Sequence, residues 1–523
     1  MKKHTPLALL ALIVLCALNV FSQTQFQTAI DLGASENASD IKQTSDGGYI
    51  VSGLQFVPAT STQLAFLLKL DADGAVQWNK TYSGGYTNGS DLFHNYRVIE
   101  ASEGGYLMLG TTSSFGVGNP KVFLIRTDAF GDTLWTRTYG GTAGNDGNSI
   151  FQSEDGGFVI GGSFSFGGQR RMGILKLKSD GSLRYESYFA DGLACPFFEC
   201  VRLSNNRYGI IYTYSTMLLL VDSVGGYIAN IPLGFGSGFS VGAIEEPNGD
   251  FTTLSSVSGL MGGAFGLVRT NVAGTASLQK KYSTGNDDAP RELIRAANGN
   301  YILFGLSTSM NGPSYLTAME VDASGAVVWS NQYSVSNGAY HEAGTIIPTA
   351  DGGYAMVGQY DRSGQYSDFD VYVVKTDAQG QSGCNQVSIS PTVAMANPIA
   401  PSSVSTYVGS LTNTGQPVPT IIGSAGSVNP NVLCLSSTNV QDNINAAWSE
   451  VYPNPVEDQL HVRFEDGRTA TLFVTDLVGR QILDAQITGA GVLDVSGLPA
   501  GTYLLFQKND AGSSLVNRFA KTQ

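Results

Sequence analysis

Outside the first 22 residues, the groups best suited to chemistry in this chain are three histidines, four cysteines and one adjacent pair of acids. The histidines, His94, His341 and His461, are far apart in sequence. A general base, an activated nucleophile or a zinc centre needs several such groups to converge. No G-x-S-x-G, H-E-x-x-H or phosphate-loop pattern accompanies them. Asp287 and Asp288 are neighbours in a loop, whereas glycosidase chemistry needs two acids held at a set separation in space. Asp71-Ala72-Asp73-Gly74 starts like a calcium loop but lacks the rest of that ligand set, so it reads as a hairpin turn. The expectation is a chain with no catalytic centre, metal site or cofactor, and not an enzyme.

The cysteines are Cys195, Cys200, Cys384 and Cys434. An even number in an exported chain reads as disulfides, and four cysteines allow three pairings. The favoured one is a local clip Cys195–Cys200 in A-C-P-F-F-E-C, with Cys384–Cys434 tying a later segment to the main body. Export itself is read from residues 1–22: Lys2 and Lys3, an apolar run from Leu7 to Val20, and the small residue Ser22 before Gln23 form a signal peptide. Leu15 before Cys16 is too large for a lipid-attachment box, and no later run is long enough to span a bilayer as a helix.

The elements that must position these groups follow from a repeat. An aromatic behind a small or polar turn recurs at Tyr49, Tyr106, Phe158, Tyr208, Phe251, Tyr301 and Tyr354. A turn glycine with a polar residue three before it recurs at Gly74, Gly131, Gly181, Gly225, Gly274, Gly325 and Gly380. Both landmarks count seven, and a period of roughly fifty residues belongs to propeller blades and similar arrays. Each copy reads as four short strands. The fourth carries bulky residues four apart, such as Trp78/Tyr82, Trp135/Tyr139 and Trp329/Tyr333, which alternation places on one strand face. The seventh copy lacks its fourth strand, while Phe26–Ile30 has that strand's spacing and precedes the first copy. Pairing the two closes a ring and removes both exposed sheet edges. The chain is therefore expected to be all-β, a seven-bladed β-propeller over 23–384 closed by its N-terminal strand. The fourth copy, which lacks the glycine pair and the Trp, is the weakest member; without it the ring would have six blades.

The residue six before each landmark aromatic is polar in six copies: Gln43, Glu100, Gln152, Arg202, Glu245 and Arg295, with Pro348 in the seventh. On the strand nearest the axis, these are expected to line the central channel, facing water or a ligand. The loops between blades are polar and acidic (88–91 with His94, 145–148, 286–288, and 334–342 with His341) and should gather on one rim. They read as solvated turns in preference to a calcium or ligand rim, since Asn, Asp and Gly dominate turns.

Charge narrows the function classes. The formal net charge is −14, and removing Lys2 and Lys3 with the leader leaves −16. That opposes binding to nucleic acid or an anionic membrane, which needs clustered Lys and Arg. Glycine numbers 64 of 523 and charged residues are 14% against a usual ~25%, in keeping with short strands and tight turns. Residues 385–447 contain a Ser/Thr/Pro/Val-rich spacer without acidic or basic residues as far as Gln441, expected to be extended and partly docked on the ring through Cys434.

From 448 the pattern changes to about six short alternating strands, which read as a small β-sandwich. Tyr452-Pro453-Asn454-Pro455, then Asp476 with Gly479-Arg480, then Leu498 with Gly501 and Tyr503, then Arg518 and Lys521, occur in that order at the C-terminus. In these residues the tail resembles the C-terminal sorting domain of type IX secretion cargo in Gram-negative bacteria; Arg518 stands where that family more often has Lys. The resemblance implies an Ig-like module over 448–523 recognised by the type IX secretion machinery, passage through the periplasm, and a product secreted or held at the cell surface. The repeats also resemble the D-G-G-Y arrays of such surface proteins. The expected function is a binding or interaction module for an unknown extracellular ligand, glycan or protein. The alternatives are a polysaccharide- or protein-degrading enzyme on the propeller face, or a structural surface-layer component.

Overall fold

The computed structural model describes residues 24–58, 61–83, 96–113, 120–140, 144–166, 169–189, 198–212, 217–233, 240–258, 262–310, 312–336, 339–363, 368–395, 416–417, 421–423, 429–437, 449–452, 456–464, 469–475, 481–509 and 512–522. The signal peptide, His94 and Cys195 lie outside them. The chain divides into two compact units, 1–438 and 439–523.

In the first unit the alternating apolar runs pair locally into antiparallel four-stranded sheets, one per repeat. Blade one comprises Ser35–Gln43, Tyr49–Val57, Thr62–Leu70 and Val76–Ser83. Six sheets use consecutive strands. The seventh takes His341–Pro348, Tyr354–Asp361 and Phe369–Thr376 from one end of the unit and Thr24–Asp31 from the other. Phe26 pairs with Lys375 and Ile30 with Val371, so the N-terminal strand supplies the missing fourth strand. The fourth repeat is a full sheet (Phe198–Arg202, Tyr208–Tyr212, Met217–Val221, Tyr227–Pro232) despite its missing glycine pair. Its third strand buries Leu218, Leu219 and Leu220, and Pro232 at the end of its fourth strand packs on the turn glycine Gly274, where Trp78, Trp135 and Trp329 pack on theirs.

The sheets form a circle because seven apolar clusters each belong to two neighbouring blades. Leu67 of blade one shares a core with Met108 of blade two, and Leu316 of blade six shares one with Val374 of blade seven. The circle closes where Phe26, Ile30 and Val373 of blade seven pack with Tyr49, Phe66 and Leu68 of blade one. The D-x-x-G turns are hairpins: Gly74 N–H donates to Asp71 O at 3.2 Å, and the Asp71 carboxylate accepts from Asp73 and Ala75 N–H groups. That uses the Asp71 oxygens in turn chemistry, as expected for D-A-D-G.

The uncharged segment does more than dock at one place. Gln386–Ser388 adds a fifth strand to blade six, Thr392–Met395 to blade five, Gln416–Pro417 to blade two, and Ile421–Gly423 to blade one. Asn429–Ser437 then runs antiparallel along the whole of Thr24–Asp31 in blade seven. Five outer edges are covered in an order that runs backward around the ring. Val, Ser and Thr without charge suit pairing onto open edges, where Lys or Glu would oppose it.

The second unit packs a three-stranded sheet (Ser449–Tyr452, Gln459–Phe464, Ala490–Asp494) with a four-stranded one (Gln481–Thr488, Thr469–Thr475, Gly501–Asn509, Gly512–Lys521). Leu460, Val462, Leu472, Val474, Leu505 and Phe519 form their shared core. This is a small β-sandwich.

A candidate ligand site on the propeller axis

The inner strands of a propeller face the axis, and alternation decides which residues reach it. A cavity of about 330 Å³ lies there, with walls drawn from all seven blades, among them Asn37, Arg97, Asn148, Glu199, Ser240, Arg291 and Glu342. Of the charged residues that line it, Arg97 and Glu199 stand nine residues before the landmark aromatic, the position that Asp40 and Glu292 hold in their own blades.

The six residues six before the aromatic are placed differently from expectation. None of them is among the residues lining this cavity. Each turns sideways onto the inner turn of the preceding blade. Gln43 Oε1 accepts from Ala350 N–H at 2.8 Å, and the Glu100 carboxylate takes both the N–H and the hydroxyl of Ser45. Gln152 brackets Ser102 in the same manner, and Glu245 accepts from Ser204 N–H at 2.7 Å. Arg202 and Arg295 reach Glu154 and Glu246. These are latches between blades. The physical reason is the strand period of two: positions six and nine before the aromatic differ by an odd number and point to opposite sides.

The position nine before the aromatic serves two purposes. Asp40 Oδ2 accepts from Val98 N–H at 3.0 Å, Ser149 Oγ from Cys200 N–H at 2.9 Å, and Thr345 Oγ1 from Ile41 N–H at 3.2 Å, each in the following blade. Where the residue is long and charged it reaches the axis instead. Arg97 Nη2 lies 3.9 Å from Glu199 Oε1, and Arg97 Nε donates to Asn148 O. Burial raises Glu199, with Arg97 pulling it back, and burial reinforced by Glu199 raises Glu292. Burial works against charge on Arg97, but Asp40, Glu199 and Glu292 outweigh it and raise that guanidinium. The axis therefore holds two carboxyls that ionise less readily than usual beside a cation, a set able to donate and accept hydrogen bonds in several directions.

The other candidate groups are spoken for by structure. His341 is 2% exposed; Nδ1 contacts Ser314 O at 2.7 Å and Nε2 accepts from Val335 N–H, which fixes a neutral imidazole. Burial lowers it to about 4. Asp287 and Asp288 begin the strand Asp287–Arg295; Asp288 is fully buried, accepting from Thr284 and Ser307, while Asp287 Oδ1 accepts from Gly263 N–H, so the two acids hold different partners. Cys200 is a free, buried thiol, which corrects the expected Cys195–Cys200 clip. Its Cβ fills the space over Gly161, and burial pushes the thiol up. Cys384 is disulfide-bonded. Gln27 donates to Cys384 O and pairs in register with Cys434, so both cysteines lie by one residue of the closing strand.

In the tail, Leu498 and Tyr503 are buried, and Tyr503 hydroxyl donates to Pro499 O at 2.8 Å. Gly501 pairs with Lys521, and Arg518 is opposite Leu504. Tyr452 pairs with His461, while 453–455 and 476–480, with Pro453, Asn454, Pro455, Asp476, Gly479 and Arg480, lie outside the described residues. Residues 450–521 match the family described as "Secretion system C-terminal sorting domain". The tail is a sorting domain. It addresses the chain for export to the cell surface or for release, in agreement with the type IX resemblance of its motifs, and no helix among the described residues is long and apolar enough to cross a membrane. A search of curated proteins finds no match to the chain. Among solved structures, the chain is similar to a streptogramin B lyase (14% identity, 67% of this chain and 98% of that one, TM-score 0.43). It is also similar to virginiamycin B lyase from Staphylococcus aureus (10%, 68% and 100%, 0.42) and to a protein of unknown function from Bacteroides caccae (13%, 58% and 93%, 0.36). Likenesses this distant carry nothing about what the axial groups do.

Proposed function

We propose that this chain is a non-catalytic binding module, exported by its sorting domain and engaging a neutral, polar extracellular ligand, a glycan, at the axial cavity. The observation that supports it is the cavity itself. Its volume is about 330 Å³, and Arg97 and Arg291 are offset there by Glu199 and Glu342 beside the amides of Asn37, Asn148 and Gln359. That size suits a small ligand or the end of a polymer, and balanced charge with many amides suits hydroxyl groups rather than an ion. Type IX secretion machinery is its partner in export, and a Cys384–Cys434 bridge ties the edge-covering segment to the ring. The test is a binding screen of the mature protein against extracellular polysaccharides. Binding should fall at least tenfold in Arg97→Ala and Glu199→Ala; retention by both would overturn the assignment.

A second reading, a secreted polysaccharide-degrading enzyme, has one observation in its favour. Burial raises Glu199 to about 7 and Glu292 to about 8 beside Arg97, so near neutral pH one can hold a proton while the other gives its own up. Release of product from the same polysaccharides, abolished by Glu292→Gln, would favour it. A purely structural surface-layer role predicts neither binding nor product.

A further inference from the structure

The seam that closes the ring gathers four carboxyl groups, Asp31, Glu36, Asp368 and Asp370, around one arginine, Arg362. Asp31 ends the strand Thr24–Asp31, Glu36 follows the turn into Ser35–Gln43, and Asp370 stands near the start of Phe369–Thr376. Three strands from two blades thus each bring one carboxylate to one place. Oxygens of all three lie within 4.8 Å of one another, and Glu36 and Asp370 are 1% and 3% exposed. The facing cation is Arg362, which bonds Asp31 and Asp368 but stays 3.8 Å from Asp370 Oδ1. That is beyond hydrogen-bond reach, and Asp370 Oδ1 is buried with no hydrogen-bond partner among the described residues. Its other oxygen accepts from Tyr360 hydroxyl at 2.9 Å, which fixes the carboxylate in place. A buried carboxylate oxygen left without a partner is destabilising, and a cation placed between Asp31, Glu36 and Asp370 would satisfy it.

We propose that Asp31, Glu36 and Asp370 form a calcium site that pins the closing strand to both blades it joins. The donors are all oxygen, the set preferred by hard cations, and no His or Cys is present to favour zinc. Calcium holds its ligands at ~2.3–2.6 Å, so oxygens sharing one ion lie within about 5 Å of each other, as these do. Glu36 is oriented by Gln55 Nε2 and the N–H groups of Leu32 and Ala34, which leaves carboxylate lone pairs to spare. Arg362 stands in for the ion in the metal-free protein. Its side chain is 44% exposed and can withdraw toward Asp368, which it already holds at 2.7 Å. Competition with that guanidinium places the site in the weak range of extracellular calcium modules, ~10⁻⁴–10⁻³ M.

The experiment is a set of thermal melts of the mature protein in EDTA, in millimolar CaCl2 and in MgCl2, with isothermal titration of CaCl2 for stoichiometry. The expected result is one calcium per chain and a Tm raised by several degrees in CaCl2 over EDTA, with little response to magnesium. Asp370→Asn should abolish the rise; should that variant fail to fold, Asp31→Asn serves in its place. Arg362→Gln separates a metal site from an ion-pair network. A metal site predicts that this variant is weakened in EDTA, is recovered by calcium, and binds calcium at least threefold more tightly. A network predicts a loss that calcium leaves uncorrected. No calcium response in either the parent or Arg362→Gln, an equal response in Asp370→Asn, or the same rise with magnesium would overturn the proposal.

Discussion

The Phe26 ring lies against Gly74 so closely that a Cβ on the glycine would sit 2.5 Å from Phe26 Cε2. Phe26 belongs to the fourth strand of blade seven and Gly74 to a hairpin of blade one. The same contact recurs around the ring: Trp78 meets Gly131, Trp135 meets Gly181, Tyr185 meets Gly225 and Trp329 meets Gly380. The bulky residue and the turn glycine, read from the sequence as separate landmarks, are the two halves of one joint between blades. Tyrosines reinforce it, with Tyr82 hydroxyl donating to Gly131 O at 2.7 Å and Tyr333 to Gly380 O at 2.7 Å.

Substitution of Gly74 by Ala should therefore be costlier than its backbone angle alone explains. Gly74 has φ +83°, and Gly104 has φ +84° with nothing within 4 Å of the point a Cβ would occupy. Gly104→Ala carries only the left-handed penalty of about 1–2 kcal/mol, whereas Gly74→Ala should add about 1–3 kcal/mol of overpacking. Urea denaturation of both variants checks this; equal losses would refute the joint.

Removing the other half of the joint should open the ring. Phe26 is fully buried between blades seven and one. Phe26→Ala should lower stability by about 3–5 kcal/mol and raise hydrogen exchange first in Thr24–Asp31 and Phe369–Thr376. Exchange rising uniformly over all blades would mean that closure is not locally held.

The axial carboxyls should make stability fall as pH rises. Glu199 and Glu292 are raised to about 7 and about 8, so the folded protein binds more protons than the unfolded chain from roughly pH 4.5 upward. Their contribution is fully present below the unfolded value and is lost as pH climbs through 7 to 8. Glu292→Gln should flatten that decline and stabilise the ring at pH 8.5 by about 1–2 kcal/mol. An unchanged pH profile would show that Glu292 ionises freely.

The latches should contribute modestly and independently. Glu100→Ala and Gln152→Ala each remove bonds at a different seam, costing about 0.5–1.5 kcal/mol apiece, and the double variant should be close to additive. Ligand binding at the axis should not change in either. A tenfold loss of binding would return these residues to the channel.

Thiol chemistry separates the cysteines. Cys200 is 1% exposed, and burial raises its thiol, so the native protein should resist alkylation there until it unfolds. Peptide mapping without reductant should join Cys384 to Cys434. Rapid native labelling of Cys200, or a bridge that includes it, would contradict this arrangement.

Sequence alone determined the repeat, the four-strand plan of each copy, the borrowed closing strand and the sorting tail. All of these follow from local spacing: a period of two within strands, glycine where φ must be positive, and bulky residues at a fixed offset. Even the fourth repeat, without the glycine pair and the Trp, kept enough apolar alternation to form its sheet. What the sequence left undetermined is how residues on one strand divide between the axis and the neighbouring blade. The six polar residues at a shared offset were visible, but the odd separation between Arg97 and Glu100 becomes meaningful only when the direction of one side chain is known. The edge pairing of the short strands from Gln386–Ser388 to Asn429–Ser437 was likewise hidden, because unpaired outer strands exist only after the blades have formed. The carboxylates Asp31, Glu36 and Asp370 meet for the same reason: hundreds of residues separate the first two from the third, and ring closure alone brings them within reach.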